Sequence, residues 1–146
     1  MERTICDEIK ILDNVLMRKF VNELNHDNIL VTPIQASIIC FLIKNENIDI
    51  YQKDIEKLIS VRRSTVSGIL QVMEKNNLIK RSVVGSDLRK RKIYLTDDAI
   101  TKYEKIKSKI LNLENHLKKG LKEDELNVFF SVIDKLKENI ERMREC

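Results

Sequence analysis

The sequence predicts a mainly α fold with a small β component (α+β), and three observations carry that prediction. Apolar residues recur at helical spacings of three and four along most of the chain. Two short runs with β-like alternation flank one loop that contains a glycine, within residues 79–95. The 146 residues include only 3 Gly and 1 Pro, with 42% hydrophobic and 34% charged content. Such a chain is long enough to bury a core as one domain, residues 1–146.

The first element is predicted to be an amphipathic helix. Its apolar stripe recurs at spacings of three and four: Ile5, Ile9, Leu12, Leu16 and Phe20. The motif "TPIQ" predicts the start of a second helix, with Thr32 as N-cap, Pro33 at the first helical position and Gln35 three residues after the cap. The helix that follows is apolar on almost every side, which predicts a place in the centre of the fold.

Two long helices are predicted at the C-terminal end. Thr96 can cap the first, whose stripe is Tyr103, Ile106, Ile110, Leu113 and Leu117, and Gly120 ends it. The last helix opens with three acids and carries the stripe Leu126, Phe129, Ile133, Leu136, Ile140 and Met143. The two apolar stripes present more surface than a small monomeric core can cover, so we expect a homodimer. The alternative is an intramolecular bundle.

The net charge of +4 is unevenly distributed. Residues 1–59 carry 7 bases and 10 acids, residues 60–95 carry 9 bases and 2 acids, and residues 96–146 carry 11 of each. A basic segment in a neutral or acidic body predicts a surface that binds a polyanion. The alternative is a solvated charge run without a partner.

A predicted helix-turn-helix, residues 52–76, overlaps the start of the basic segment. Ile55, Leu58 and Ile59 are expected to face inward from its first helix, and Val61 to fill the turn. Apolar positions on the second helix are Val66, Ile69, Leu70 and Met73, so small and polar residues occupy the opposite face: Ser64, Thr65, Ser67, Gly68, Gln71 and Lys75. Arg62 and Arg63 stand at its start. This face can approach base edges and phosphates closely, and Gly68 lowers the steric barrier to approach.

A hairpin with a basic tip follows directly, residues 79–95. Its loop, "GSDLRKRK", supplies turn chemistry at Gly85, Ser86 and Asp87. We expect Asp87 to pair with the guanidinium of Arg89 and orient it, while Lys90, Arg91 and Lys92 supply charge for phosphates. A helix-turn-helix followed by such a hairpin is the winged-helix arrangement, in which a helix enters the major groove of double-stranded DNA.

Four stretches together resemble the MarR family of transcription regulators. They are "TPIQASII", "QKDIEKLISVRRSTVSGILQVMEKNNLIKR", the D-x-R of residues 87–89, and "IYLT". The resemblance implies a dimeric winged-helix repressor of a pseudo-palindromic operator, released by a small-molecule effector or by thiol oxidation. It implies dimerisation by residues 1–30 and 98–146 and a DNA-binding lobe over 31–97. Departures are Tyr51 at a capping position, Glu56 in place of a small residue, and Ala99 in place of a glycine.

The resemblance also assigns the contacts with DNA. The recognition helix would use Arg62, Arg63, Ser64, Thr65, Ser67, Gly68 and Gln71. The wing would use Arg89, with Lys90 and Arg91 beside it and Asp87 as support. Two alternatives stay open: a winged helix that binds protein, and a thiol-based redox sensor. Cys6 lies in the helix where such sensors keep their cysteine, but no tyrosine accompanies it in that part of the chain.

Other function classes find little support in the sequence. No catalytic motif occurs among the 3 Gly and 2 His, so we expect no enzyme and no cofactor. His26 and His116 lack metal-ligand spacing, so no metal is expected. Three cysteines without a C-x-x-C pair, the absence of an apolar run of about 20 residues, and an N-terminus unlike a signal peptide favour a cytoplasmic protein without a membrane span.

Overall fold

The computed structural model describes residues 2–144. Within these residues, six helices and one hairpin follow each other along the chain, as predicted for a mainly α fold. Their bounds are α1 Ile5–His26, α2 Pro33–Lys44, α3 Gln52–Ile59, α4 Arg63–Lys75, β1 Ile79–Val83, β2 Arg91–Leu95, α5 Asp97–Lys118 and α6 Glu123–Arg144. The chain divides into two compact units, Met1–Ile110 and Leu111–Cys146.

Local signals set the helix ends as the sequence predicts. The Thr32 hydroxyl accepts the Gln35 N–H at 3.2 Å, and the Gln35 side chain accepts the Thr32 N–H at 3.1 Å, which completes a capping box. Thr96 caps α5 by accepting the Ala99 N–H at 3.2 Å. Gly120 adopts a φ of +81° after α5, a conformation in which a side chain would be strained.

The three departures from the family pattern are accommodated locally. Although Tyr51 replaces a capping Ser or Thr, its backbone N–H donates to the Asp54 carboxylate at 2.9 Å, so α3 still starts there. The Glu56 carboxylate accepts a hydrogen bond from the Gln52 amide at 3.2 Å. Ala99 is fully buried.

The core of the first unit gathers side chains from every one of its elements. Fully buried residues include Leu24 of α1, Ile38 and Ile39 of α2, Ile55 of α3, Val66, Leu70 and Met73 of α4, Ile79 of β1, Ile93 of β2 and Ile106 of α5. The apolar α2 helix therefore lies at the centre of the unit, as predicted. The first turns of α1 do not contribute to this core, because Ile5, Ile9 and Leu12 are exposed.

The helix-turn-helix buries less of its turn than the sequence predicts. Ile55 is buried and Ile59 is half-buried, but Leu58 and Val61 are 41% and 38% exposed. The prediction that Leu58 faces inward and Val61 fills the turn was wrong. The reason is geometric: α3 has only 8 residues and ends at Ser60 in the left-handed region, with a φ of +48°. Two helical turns bring one side chain, that of Ile55, fully into the core.

The hairpin is antiparallel, with Ile79 opposite Leu95, Arg81 opposite Ile93 and Val83 opposite Arg91. Ile79 and Ile93 are buried at its base, whereas Val83 is exposed near the loop. The hairpin therefore packs on the core at one end and extends from it at the other.

Candidate nucleic-acid interface

One face of α4 is small, polar and exposed along its length. Val66, Leu70 and Met73 are fully buried on the side that packs inward. Arg62 is the N-cap and Arg63 the first helical residue, and both are exposed. The other exposed positions predicted for this face are Ser64, Thr65, Gly68 and Gln71. A Cβ added at Gly68 would meet nothing within 4 Å, so the face is open at that position.

Ser67 has a packing role beside its predicted DNA contact. It is half-buried, and its hydroxyl accepts a hydrogen bond at 2.8 Å from the side-chain amide of Gln52 in α3. Arg63 reaches toward the same helix, with its Nε 4.0 Å from the Glu56 carboxylate. These contacts fasten α4 against α3 near the start of the exposed face.

The wing loop, residues 84–90, is organised by Asp87 through the backbone. Its carboxylate accepts the N–H of Arg89 at 3.0 Å, and its carbonyl accepts the N–H of Lys90 at 3.2 Å. Gly85 adopts a φ of +75° where the chain leaves β1. The sequence predicted instead that Asp87 would pair with the Arg89 guanidinium, and this geometry was wrong. A carboxylate two residues before a backbone N–H meets it at lower entropic cost than it meets a long side chain.

A basic cleft of about 460 Å³ lies between the start of α3, the start of α4 and the hairpin. Six bases and one acid line it. Its residues are Tyr51, Gln52, Lys53, Glu56, Arg63, Arg81, Arg89, Lys90 and Arg91. The structure thus brings Arg63 of the helix together with Arg89, Lys90 and Arg91 of the wing, as the predicted site requires. This concentration of charge creates a positive potential beside the exposed face of α4.

Sequence reasoning missed Lys53 and Arg81 as part of this cleft. Arg81 is half-buried, and its Nε donates to the Glu74 carboxylate at 2.9 Å. That contact lowers the pKa of Glu74 below its ordinary value. The excess of bases in residues 60–95 includes Arg81 but not Lys53, and only the fold brings Lys53 of α3 beside the wing.

Lys92 does not join the other wing bases. Its ammonium lies 2.7 Å from the Asp49 carboxylate, and Lys92 is absent from the cleft lining. The contact of Lys92 with phosphates stays a prediction. Lys92 and Arg91 differ because the pleat of β2 points neighbouring side chains to opposite faces of the hairpin.

A second cavity, of about 260 Å³, lies on another side of the same unit. It is bordered by the end of α2, the segment before α3, β2 and the first turns of α5. Leu42, Ile50 and Ile93 are buried along its floor, and Tyr94 and Tyr103 supply aromatic rings. Its size suits a small molecule of one or two rings.

The described residues hold no group of three or more His, Cys, Asp and Glu side chains that could bind a metal ion. Cys6 is exposed, Cys40 is half-buried, and Cys146 lies outside the described residues. Burial raises the pKa of the Cys40 thiol, which keeps it protonated and unreactive. Over residues 2–144, no helix is long and apolar enough to cross a membrane.

The order of helix, turn, helix and basic hairpin defines a winged helix-turn-helix protein. The MarR family model matches residues 31–90, which include all of α2, α3, α4 and β1. Over these residues the chain is similar to the MarR family, and its fold is that of MarR-family regulators. A curated relative is the uncharacterized HTH-type transcriptional regulator YwoH of Bacillus subtilis (strain 168). It is 31% identical over 78 residues, a match that covers 53% of this chain and 56% of the relative. The chain thus spans little more than half the length of that relative.

Solved structures share the fold over nearly the whole chain. The transcription regulator MarR from Oenococcus oeni PSU-1 has 27% identity and a TM-score of 0.75, covering 92% of this chain and 99% of that one. The S. aureus MepR–DNA complex has 24% identity and a TM-score of 0.87, covering 95% and 99%. A putative MarR family regulator from Listeria monocytogenes, complexed with 26mer DNA, has 22% identity and a TM-score of 0.81, covering 95% and 90%. The last two likenesses establish the fold alone.

Proposed function

We propose that the protein is a cytoplasmic, homodimeric transcription regulator that binds double-stranded DNA sequence-specifically and acts as a repressor, without enzymatic activity. The observation that carries the proposal is the small, polar, exposed face of α4 beside a cleft lined by six bases. Two solved relatives of the same fold are complexes with DNA, which supports it further. A winged helix that binds protein would need neither feature.

In this proposal α4 reads the major groove. Apart from Val72, which is 48% exposed, this face carries no large apolar side chain, so the helix backbone can approach the base edges at Gly68. Gln71 offers an amide that can pair with adenine, and the exposed Arg62 and Arg63 offer guanidinium groups that can pair with guanine or phosphate. Ser64 and Thr65 offer hydroxyl groups that can donate hydrogen bonds to the DNA phosphates. Ser67 contributes mainly by holding α4 on α3.

The wing supplies the second part of the interface. The Arg89 side chain is exposed at the end of the loop that Asp87 organises, and it would enter the minor groove or contact its edge. Lys53, Lys90 and Arg91 contact phosphates along the cleft. Contacts of this kind displace counterions, so the affinity should fall steeply as salt is added.

A homodimer would contact the two halves of a pseudo-palindromic operator in the same way. We propose that residues 1–30 and 98–146 form the interface between two copies. Two α4 helices about 34 Å apart would then address major grooves one helical turn apart on a pseudo-palindrome. The exposed Ile5, Ile9 and Leu12 of α1 support this assignment, because an unpartnered apolar stripe of this size favours an interface.

A titration by fluorescence anisotropy tests the function. The probe is duplex DNA from upstream of the protein's own gene, with a scrambled duplex as competitor, at two salt concentrations. We expect tight, salt-sensitive binding that the scrambled competitor does not displace. Arg89→Ala should weaken it about tenfold, the worth of a charge-assisted contact. The control Lys107→Ala, which removes an exposed base from α5, should leave it unchanged. Equal affinity for both duplexes would refute sequence-specific regulation.

We further propose that a small-molecule effector occupies the 260 Å³ cavity and weakens DNA binding. The free acids at its rim, Glu46 and Glu104, are exposed, while Lys92 is already paired with Asp49. A ligand that places a ring on the apolar floor and an amine at the rim therefore fits better than a ligand with a carboxylate at the rim. Calorimetry with 2-phenylethylamine, phenylacetate and 2-phenylethanol checks this, with the amine expected to bind most tightly. Preference for phenylacetate would contradict it.

A further inference from the structure

The root of the wing is fastened to the segment that precedes α3 by two adjacent contacts. The Ile93 N–H donates to the Ile50 carbonyl at 2.8 Å, and both side chains are buried. One residue earlier in each segment, the Lys92 ammonium lies 2.7 Å from the Asp49 carboxylate. The same ammonium lies 4.8 Å from the centroid of the Tyr94 ring. A backbone hydrogen bond and an ion pair thus join β2 to the chain that leads directly into the helix-turn-helix.

Lys92 differs from the bases that line the cleft. Its side chain is only 24% exposed, whereas Arg89, Lys90 and Arg91 are exposed. The hydrogen bond with Asp49 raises the pKa of Lys92 above its ordinary value, so the ammonium stays charged and paired near neutral pH. A base already paired in this way has little to gain from a phosphate.

We propose that Asp49 and Lys92 form a clasp that sets the orientation of the wing relative to α3 and α4. In this inference Lys92 is a positioning residue for DNA binding, not a phosphate ligand, and it rests on the proposed function. Arg89 and Lys90 lie three and two residues before Lys92 in the chain, so a rotation of β2 at the clasp displaces both side chains. A clasp that holds β2 before DNA arrives reduces the entropy lost on binding.

Substitution of Asp49 distinguishes the clasp from a long-range electrostatic effect, because the two predict opposite changes in DNA affinity. Asp49→Asn removes a negative charge from a protein that binds a polyanion, so long-range electrostatics alone predict tighter binding. The clasp predicts weaker binding by about two- to fivefold, the worth of a partly exposed ion pair. Asp97→Asn is the control, because it removes the charge of an exposed acid in the first turn of α5 that is not part of the clasp. We expect Asp97→Asn to leave the affinity unchanged or slightly tighter.

Salt dependence tests the role of the base. Lys92→Gln should weaken binding to the same extent as Asp49→Asn while the slope of log K against log salt stays at the wild-type value. Lys90→Gln, which removes a base from the cleft, should lower that slope by about 0.9, the value for one lost phosphate contact. The double variant Asp49→Asn/Lys92→Gln should bind no more weakly than either single variant, because both changes open one clasp.

Three results of the binding experiments would overturn the inference. They are tighter binding by Asp49→Asn, a slope for Lys92→Gln that falls as far as that for Lys90→Gln, or additive losses in the double variant. Amide relaxation of residues 84–90 in the free protein adds a test that does not involve DNA. Asp49→Asn should increase the mobility of these residues while thermal unfolding stays cooperative, and unchanged mobility would refute the clasp. A wild-type protein that binds no DNA would refute the proposed function, and relaxation would still decide on the clasp.

Discussion

Asp87 shapes the wing through main-chain atoms. One carboxylate oxygen accepts the Arg89 N–H at 3.0 Å, and the Asp87 carbonyl accepts the Lys90 N–H at 3.2 Å. This compact turn leaves Leu88 76% exposed at the apex and sets the direction in which the next residue leaves the loop. The acid in a basic loop therefore serves the conformation of the backbone, and its negative charge is incidental to that role.

The two possible roles of Asp87 predict different effects of an amide. Asp87→Asn keeps an oxygen that can accept the Arg89 N–H, so we expect it to retain DNA affinity or to bind slightly tighter. Asp87→Ala removes the acceptor and should weaken binding about threefold, the worth of one neutral hydrogen bond. Anisotropy titrations of both variants check this. Equal losses for both would indicate that the carboxylate acts on the guanidinium after all.

Gly68 should reveal a conflict between stability and DNA binding. Because an added Cβ meets nothing within 4 Å, Gly68→Ala should raise the free energy of unfolding by about 0.5–1 kcal/mol through helix propensity. The same methyl group would project from the face that approaches DNA, so the affinity should fall. Urea unfolding and anisotropy measure the two effects. Ser108→Ala, at an exposed position of α5, is the control and should leave DNA affinity unchanged. A stabilised Gly68→Ala that binds DNA normally would remove this residue from the interface.

At the scale of the elements, the sequence predicts what is decided within a few residues. Thr32, Gln35 and Thr96 begin helices through hydrogen bonds to residues three positions away, Gly120 follows the end of α5 in the left-handed region, and these predictions are confirmed. The sequence composition likewise predicted the basic tip of the hairpin. Periodicity also identified the buried face of α4, because three of its apolar positions point at the core.

The features that the sequence did not predict concern contacts between elements. The pairing of Lys92 with Asp49 depends on how β2 lies beside the segment before α3, which no local pattern encodes. The exposure of Leu58 depends on how few turns α3 has. A period of 3.6 residues assigns a side chain to a face, but the length and tilt of the helix decide whether that face is covered.

The contact between α1 and α5 should make stability sensitive to acid. The Lys109 ammonium lies 2.8 Å from the Asp27 carboxylate and 3.4 Å from that of Glu23. Hydrogen bonds from Lys109 to Asp27, and from Lys19 and then Lys109 to Glu23, lower the pKa of both carboxyls. A lowered carboxyl pKa contributes stability that is present above the ordinary pKa and lost as the pH falls through the folded one.

We therefore expect Lys109→Met to lower the melting temperature at pH 7 and to have a smaller effect near pH 3, where a larger share of both acids is protonated in wild type than at pH 7. Methionine retains most of the aliphatic stem, so the difference isolates the charge. Thermal melts at the two pH values provide the measurement, with Lys107→Met as a control at a neighbouring exposed position. An equal loss at both values would assign the contribution of Lys109 to packing instead of charge.

At the scale of the whole molecule, each compact unit leaves apolar side chains uncovered. In Met1–Ile110, the first turns of α1 expose Ile5, Ile9 and Leu12. In Leu111–Cys146, α6 exposes Val128 and an edge-to-face pair of rings, Phe129 and Phe130, whose centroids are 5.5 Å apart. None of the side chains described in α6 is fully buried. Solvated apolar surface on two long helices is costly in a monomer, and a second copy of the chain would cover it.

The double substitution Ile9→Asp/Leu12→Asp should convert the protein to a monomer, because two buried acids without partners oppose association strongly. We expect light scattering to show the mass of one chain, and circular dichroism to show an intact lobe, since neither residue belongs to the core. Affinity for a full operator should fall by about 10²–10⁴-fold with the loss of bivalent binding, while affinity for a half-site stays near the wild-type value. Ile48→Asp, which changes an equally exposed isoleucine of the lobe, should remain dimeric. If the double variant stays dimeric and retains full-operator affinity, the α1 stripe is not the interface, and the exposed face of α6 becomes the surface to substitute.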